Sequence, residues 1–382
     1  MNLRLNSGLS PKGKSFYRHI FSGLLAGSLL LAACAPAASV VLTLTLPPPQ
    51  VNWQEYTLTP SVTPSPQPSL TPTPNLLVTL TPTLSPTSTL SPTPTTDPFA
   101  EWYIDALRAR TYGGGLLQDA GNLPSGGSFS RKLFRYRSEG LNLYGFINIP
   151  AGQGPFPVVV MLHGYVSPGA YSTLAYSTRY ADALTEAGFV VLHPNLRGYR
   201  PSASAPNFLG IGDTLDVLNL INLLRVQAGK PGFLQKVDAL RLGLWGHSMG
   251  GGIVLRALLV DAKIDAAVLY AALDADESVN LAHFEDDGRG NEQIEVPPAV
   301  LERISPSTFI DEIQTPLSLH HGDADLVVPA QWSIDLCARL EELGIEHECV
   351  LYPDQPHTFQ NAGDAQFSAN VAEFFSRHLK RD

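Results

Sequence analysis

From about residue 129 onward, short runs rich in Val, Leu and Ile alternate with longer segments whose apolar residues recur every three or four positions. That alternation is the signature of parallel α/β architecture. Two runs, Arg131–Arg137 and Leu141–Ile149, switch between apolar and polar at every residue. Joined by a Ser-Glu-Gly turn, they predict an antiparallel hairpin at a sheet edge. Six further runs are apolar almost throughout, as strands covered on both faces must be: Pro157–Leu162, Gly188–His193, Leu240–Trp245, Ala266–Ala271, Pro316–His320 and His347–Tyr352. Helical periodicity falls between them over about Leu174–Ala187, Ile211–Gln227, Met249–Val260, Ala330–Leu343 and Asp364–Leu379. Gly188 and Gly344 stand where helix C-terminal stops belong. The expectation is a mostly parallel, eight-stranded sheet with helices on both faces.

Upstream, the pattern gives way to two segments that cannot build a core. Met1–Ala33 opens with Arg4, Lys12, Lys14 and Arg18, has no acidic residue, and ends in an apolar stretch, Ile20–Ala33. That stretch is shorter than the roughly 20 residues a bilayer span requires, so 1–33 reads as a signal peptide. Leu31-Ala32-Ala33-Cys34 resembles the lipobox of bacterial lipoproteins. The resemblance implies a lipidated Cys34 as the mature N-terminus, anchored to the bilayer on the extracytoplasmic side by two or more acyl chains. Residues 34–98 are dominated by Thr-Pro and Ser-Pro repeats with almost no charge. Such a segment is a semi-rigid spacer, with a reach on the order of 180 Å when extended as polyproline. The remaining 99–382 is ample for one domain.

The chain has 25 basic and 35 acidic residues; without the four cations of the leader, 21 basic residues face the same 35 acidic ones. No basic patch is available to neutralise phosphates, which argues against nucleic acid as a partner. The histidines are scattered without paired ligand spacing, so neither metal nor other cofactor is expected. Oligomeric state is not legible.

The chemistry begins at Leu240–Gly251, where an apolar strand runs into Gly246-His247-Ser248-Met249-Gly250 and on into a helical pattern. A bare G-x-S-x-G would occur by chance in about one chain in eight at average glycine and serine usage near 7%. Between a strand and a helix it reads as a nucleophile elbow, with small residues where neighbouring backbone must pass the serine. Around it lie Ser138–Gly145, Pro157 to His163-Gly164, Pro194-Asn195-Leu196-Arg197-Gly198-Tyr199, Ser305-Pro306, His321-Gly322-Asp323-Ala324-Asp325-Leu326-Val327-Val328-Pro329, and His357. In this order and spacing, these pieces resemble the α/β-hydrolase superfamily, and more narrowly the catalytic domain of the prolyl oligopeptidase family. One departure is Asn195, where that family usually has Asp.

Acyl transfer needs a nucleophile, a base, a group that orients the base, and oxyanion donors. Ser248 is the expected nucleophile. His357, in the proline-stiffened loop Tyr352–His357, is the expected base; His247 lies inside the elbow and is expected to point away, and His193 belongs to the core. Position after the strand Pro316–His320 leaves Asp323 or Asp325 as the acid. The family pattern implies Asp325, with Asp323 as a turn former that caps local amides. Met249 N–H, following the nucleophile at a helix N-terminus, is one oxyanion donor, and the resemblance implies Tyr165 N–H as the second. Arg197 reads as a structural ion-pair residue.

The acidic stretch 273–304 lies where hydrolases of this fold carry lids. It could attract a cationic group or could be a solvated loop. Cys337 and Cys349 sit in an exported domain that permits a disulfide, yet a mid-helix and a strand cysteine are commonly too far apart for one. The reading that emerges is a serine hydrolase acting on carboxylic esters, with short peptides as the alternative substrate class and a non-catalytic binding module as a remote one.

Overall fold

The computed structural model describes residues 97–285 and 295–380. The leader, Cys34 and nearly all of the Pro-rich spacer lie outside the described residues. So do 286–294, within the lid-like stretch.

The elements follow in chain order: α1 (Ile104–Ala109), β1 (Gln118–Leu123), β2 (Ser130–Ser138), β3 (Leu141–Ile149), β4 (Phe156–Leu162), α2 (Thr178–Glu186), β5 (Val190–Asn195), α3 (Ile211–Gln227), β6 (Val237–His247), α4 (Met249–Val260), β7 (Ala266–Tyr270), α5 (Glu277–His283), α6 (Pro298–Ile304), β8 (Leu317–Gly322), α7 (Ala330–Leu343), β9 (His347–Tyr352) and α8 (Asn361–Leu379). Among the described residues, one sheet contains nine strands in the order β1-β2-β3-β5-β4-β6-β7-β8-β9. β1 to β3 pair antiparallel and β3 joins β5 antiparallel, after which every pairing is parallel.

This corrects the eight-strand expectation. The hairpin forms with Ser138 opposite Leu141, but it is not the edge, because β1 pairs outside it. β1 reads Gln-Asp-Ala-Gly-Asn-Leu, has hardly any apolar residues, and departs from regular register between Asp119 and Gly121. A solvent-facing edge strand with a bulge has no buried face to impose a hydrophobic pattern.

Because successive strand residues face opposite sides, the sheet builds two cores. Val158, Val160 and Leu162 of β4 point into one, filled by α1, α3, α4 and Leu340 of α7. Val159 and Met161 point into the other, filled by Tyr180, Ala181 and Leu184 of α2 and by Phe367, Val371, Phe374 and Phe375 of α8. The C-terminal ends of the parallel strands converge where the order reverses, between β4 and its neighbours. In open α/β sheets that is where ligand sites form.

One further correction concerns the cysteines. Cys337 in α7 and Cys349 in β9 are disulfide-bonded, with Cα atoms 6.4 Å apart. The connection between α7 and β9 is only residues 344–346, so the helix turns straight back along the strand it packs on.

Candidate active site

The strand β6 ends at His247 and α4 begins at Met249, leaving Ser248 to turn the chain alone. Its backbone sits at φ 54°, ψ −118°, a region that side-chain-bearing residues rarely occupy and that commonly marks functional strain. The glycines explain how the turn fits. A Cβ at Gly246 would run into the backbone of Gly250, and one at Gly250 would run into the carbonyl of Leu162 in β4. Ser248 is 94% buried, and its carbonyl accepts the Gly251 N–H at 2.8 Å.

Of the two acidic candidates, Asp325 is the one that meets His357. Its Oδ2 accepts from His357 Nδ1 at 2.7 Å, while Oδ1 accepts the N–H groups of Val327 (2.8 Å) and Val328 (3.0 Å). Burial alone would raise the carboxyl's pKa. Hydrogen bonds from His321 and His357, the Val328 amide and the nearby imidazole charge overcome that and hold it below the ordinary carboxylate range. Asp323 instead accepts the Asp354 N–H at 2.7 Å, tying the acid turn to the loop that carries His357.

Two histidines and a tyrosine that sequence reasoning left outside the site prove to support it. His321, the residue before Gly322 at the end of β8, places Nε2 3.1 Å from Asp325 Oδ2 and 3.0 Å from the Val328 carbonyl. Both partners are acceptors, so Nε2–H donates to them, and Nδ1 lies 2.7 Å from Ser333 Oγ. Asp325 Oδ2 is thus shared by two imidazole N–H groups.

His247, expected to point away, is the second. Its ring lies 4.6 Å from that of His357, and its Nε2 reaches the His357 carbonyl at 2.9 Å. A carbonyl can only accept, so Nε2–H donates and Nδ1 must accept, receiving the Tyr176 hydroxyl at 2.7 Å. Tyr176 Oη in turn accepts the Gly164 N–H at 2.9 Å. Burial, reinforced by the neighbouring His357, pushes His247 down to about 3, so the ring stays neutral and the proton order of this chain is fixed. The chain links the loop bearing Tyr165 to the loop bearing His357 through the residue that precedes Ser248. Tyr176 carried no sequence signal, because it falls in a stretch assigned to a helix that begins only at Thr178.

Arg197 is structural, as its sequence context suggested: it forks onto Asp216 with both bonds at 2.8 Å. Asn195 is buried, accepting from Tyr171 and donating to Thr173 Oγ1 and the Arg200 carbonyl. Beside the elbow lies a cavity of about 210 Å³, lined among others by Tyr165, Met249, Ile253, Arg256, Leu281 and Phe284. The lid-like stretch contributes α5 to its wall, and Glu277 of that helix faces inward, ion-paired with the buried Arg256.

Comparison with known proteins bears on the same residues. The sequence model of the prolyl oligopeptidase family matches residues 232–382, which include Ser248, Asp325 and His357, and that of the alpha/beta hydrolase fold matches 157–293. Acylamino-acid-releasing enzyme 1 of Oryza sativa subsp. japonica is 24% identical over 250 residues, covering 59% of this chain and 30% of its own. The acylaminoacyl peptidase of Pyrococcus horikoshii superposes with a TM-score of 0.55 at 21% identity, covering 68% of this chain and 43% of its own. Acetyl xylan esterase 1 from a Thermoanaerobacterium species superposes with a TM-score of 0.52 at 18% identity, covering 73% of this chain and 93% of its own. The curated relatives first matched are spanned over only 30–43% of their length. The chain has the α/β-hydrolase fold with a prolyl-oligopeptidase-like domain, and the matches support a serine hydrolase, either esterase or peptidase.

Proposed function

We propose that this chain hydrolyses carboxylic esters through an acyl-enzyme formed on Ser248. Ser248 Oγ attacks the ester carbonyl while its proton passes to His357, and the carbonyl oxygen becomes an oxyanion facing the N–H groups of Met249 and Tyr165. Collapse of the tetrahedral intermediate breaks the C–O bond, and the alcohol leaves with the proton held by His357. Water then repeats the cycle on the acyl-enzyme, returning the acid and free Ser248.

The observations that carry this reading are the 2.7 Å bond between Asp325 and His357 and the strained backbone of Ser248 between β6 and α4. A buried carboxylate on Nδ1 fixes the imidazole tautomer and stabilises the imidazolium formed during attack. The ester class is placed first because the fold likeness takes in 93% of an acetyl xylan esterase but only 43% of an acylaminoacyl peptidase. The second reading, a serine peptidase, is favoured by the family match that contains all three residues. Labelling with a fluorophosphonate, followed by comparison of p-nitrophenyl acetate with an aminoacyl p-nitroanilide, tests both. Labelling of Ser248 with faster ester turnover is expected. Faster anilide turnover would transfer the assignment to the peptidase, and no labelling would leave a binding module.

The reading also places the enzyme on the bacterial surface, lipid-anchored at Cys34, supported by the basic leader, the short apolar stretch and Leu31-Ala32-Ala33-Cys34. The Cys34→Ser protein should leave the membrane fraction; its retention there would refute the anchor.

A further inference from the structure

We infer that Tyr176 is a positioning residue for acyl transfer. Its hydroxyl seats the turn at Gly164 against Ser248 and, through His247, the loop of His357, so that the Tyr165 N–H meets the oxyanion as it forms. The inference rests on the serine-hydrolase reading above and adds a residue outside the triad that controls the same step.

The Tyr165 N–H belongs to the peptide unit that also carries the Gly164 carbonyl. That unit is trans, so its N–H and C=O point in opposite directions within one plane. The carbonyl is held by His163, whose Nδ1 lies 2.8 Å away. A carbonyl only accepts, so Nδ1 carries the proton. Burial holds His163 down to about 4, which keeps the ring neutral. Its Nε2 is then bare, and it has no partner among the described residues. Fixing where the carbonyl points fixes where the N–H points.

Direction is not enough, because the turn must also sit at the right distance from the nucleophile. Gly164 lies directly against it: a Cβ added there would stand 3.1 Å from Ser248 Cβ, 3.0 Å from His247 Nδ1 and 3.1 Å from Tyr176 Oη. A glycine has no side chain to hold such a turn in place. The bond that does so runs from the Gly164 N–H to Tyr176 Oη at 2.9 Å, and it involves the peptide unit just before the one that bears the donor. His163 thus orients one unit and Tyr176 anchors the other.

The same hydroxyl reaches the base. Burial lifts it to about 12, so it keeps its proton and donates to His247 Nδ1 at 2.7 Å. His247 Nε2–H then donates to the His357 carbonyl at 2.9 Å. One hydroxyl therefore fixes, relative to Ser248, both the turn that receives the negative charge and the loop that receives the proton. Without it, the Gly164 N–H and His247 Nδ1 would each lose a partner.

Tyr176→Phe removes the hydroxyl and keeps the ring. With p-nitrophenyl acetate, kcat should fall on the order of 10–100-fold, the effect of a misplaced rather than a deleted oxyanion donor, while KM stays within about threefold. The second readout is 1,1,1-trifluoroacetone. Ser248 Oγ adds to its carbonyl carbon, the Oγ proton passes to His357, and the carbonyl oxygen becomes a hemiketal oxyanion. Its Ki should rise by the factor by which kcat/KM falls, because it resembles the transition state. Ser177→Ala is the control. It deletes a buried hydroxyl from the same loop, the one bonded to His193 Nε2 at 2.8 Å, and should lower Tm while leaving kcat and Ki within about threefold. Tyr176→Met also lacks the hydroxyl; a cooperative unfolding transition identifies which variant is folded, and either one suffices. A folded Tyr176 variant with unchanged kcat overturns the inference. So does a fall in kcat with Ki unchanged, or an equal loss in Ser177→Ala. Fluorophosphonate uptake by the unaltered enzyme separates the two readings: labelling of Ser248 without an effect at Tyr176 sinks only this one, whereas no labelling sinks the serine-hydrolase reading on which it rests.

Discussion

At the scale of single residues, the decisive contrast is between two aspartates two positions apart. Asp325 Oδ2 accepts from His357 and His321, whereas Asp323 accepts a backbone amide of the next loop. Asp325→Asn replaces a carboxylate oxygen by an amide that cannot serve both imidazoles. Turnover of p-nitrophenyl acetate should fall by on the order of 10³–10⁴. Asp323→Asn retains an acceptor for the Asp354 N–H and should change turnover by less than about threefold. Equal losses in the two variants would remove Asp325 from its proposed role. Of this site, the sequence made Ser248, His357 and the aspartate pair legible, because each sits in a turn whose residue types are constrained. His247, His321 and Tyr176 were not readable as partners. Their roles depend on which loops meet across the C-terminal ends of β4, β6 and β8, and no local pattern records that.

At the scale of elements, the disulfide is the feature with the clearest energetic consequence. Cys337 and Cys349 close a loop of 12 residues between α7 and β9. In the chain-entropy account, a closure of that length stabilises the folded state by about 3 kcal/mol. The Cys337→Ala/Cys349→Ala double variant should therefore melt lower, by on the order of 5 °C in calorimetry for a domain of this size. An unchanged Tm in an oxidised sample would show that the bond contributes nothing. The same edge shows why the elements were unevenly legible. α3, α4 and α7 occupy their expected spans, 211–227, 249–260 and 330–343, because apolar periodicity is strong and Gly344, at φ 67°, stops α7 in the left-handed region. α2 starts four residues later than expected, because 174–177 is used as loop. There Tyr176 reaches His247, and Ser177 Oγ bonds His193 Nε2 at 2.8 Å. β1 escaped notice because an exposed edge need not alternate.

At the scale of the whole molecule, the buried histidines set how the fold responds to acid. Burial holds His163 down to about 4 and His193, His247 and His320 down to about 3, all from an ordinary value of 6.5. Each is neutral when folded and gains its proton on unfolding. Between about pH 6.5 and their folded values, the unfolded chain binds more protons, so stability falls as pH falls. Asp213 opposes this. Burial, with the nearby Asp216 charge, lifts its carboxyl to about 7, so it is protonated in the fold and contributes stability that is lost as pH rises from about 4 to 7. Asp325, held low, begins to weaken the fold only below about pH 4. From pH 7 to pH 5, four histidines each lose about 2 kcal/mol while Asp213, already half-protonated at pH 7, returns about 2, at 1.36 kcal/mol per unit. The histidines win by about 6 kcal/mol, a large share of the 5–15 kcal/mol that holds a typical domain folded. Thermal unfolding at pH 7, 6 and 5 should therefore show Tm falling at each step, more steeply below pH 6. A flat or rising Tm across that range would mean that the buried imidazoles are not neutral. The hydrogen-bond order argued for Tyr176, His247 and His357 would fall with them.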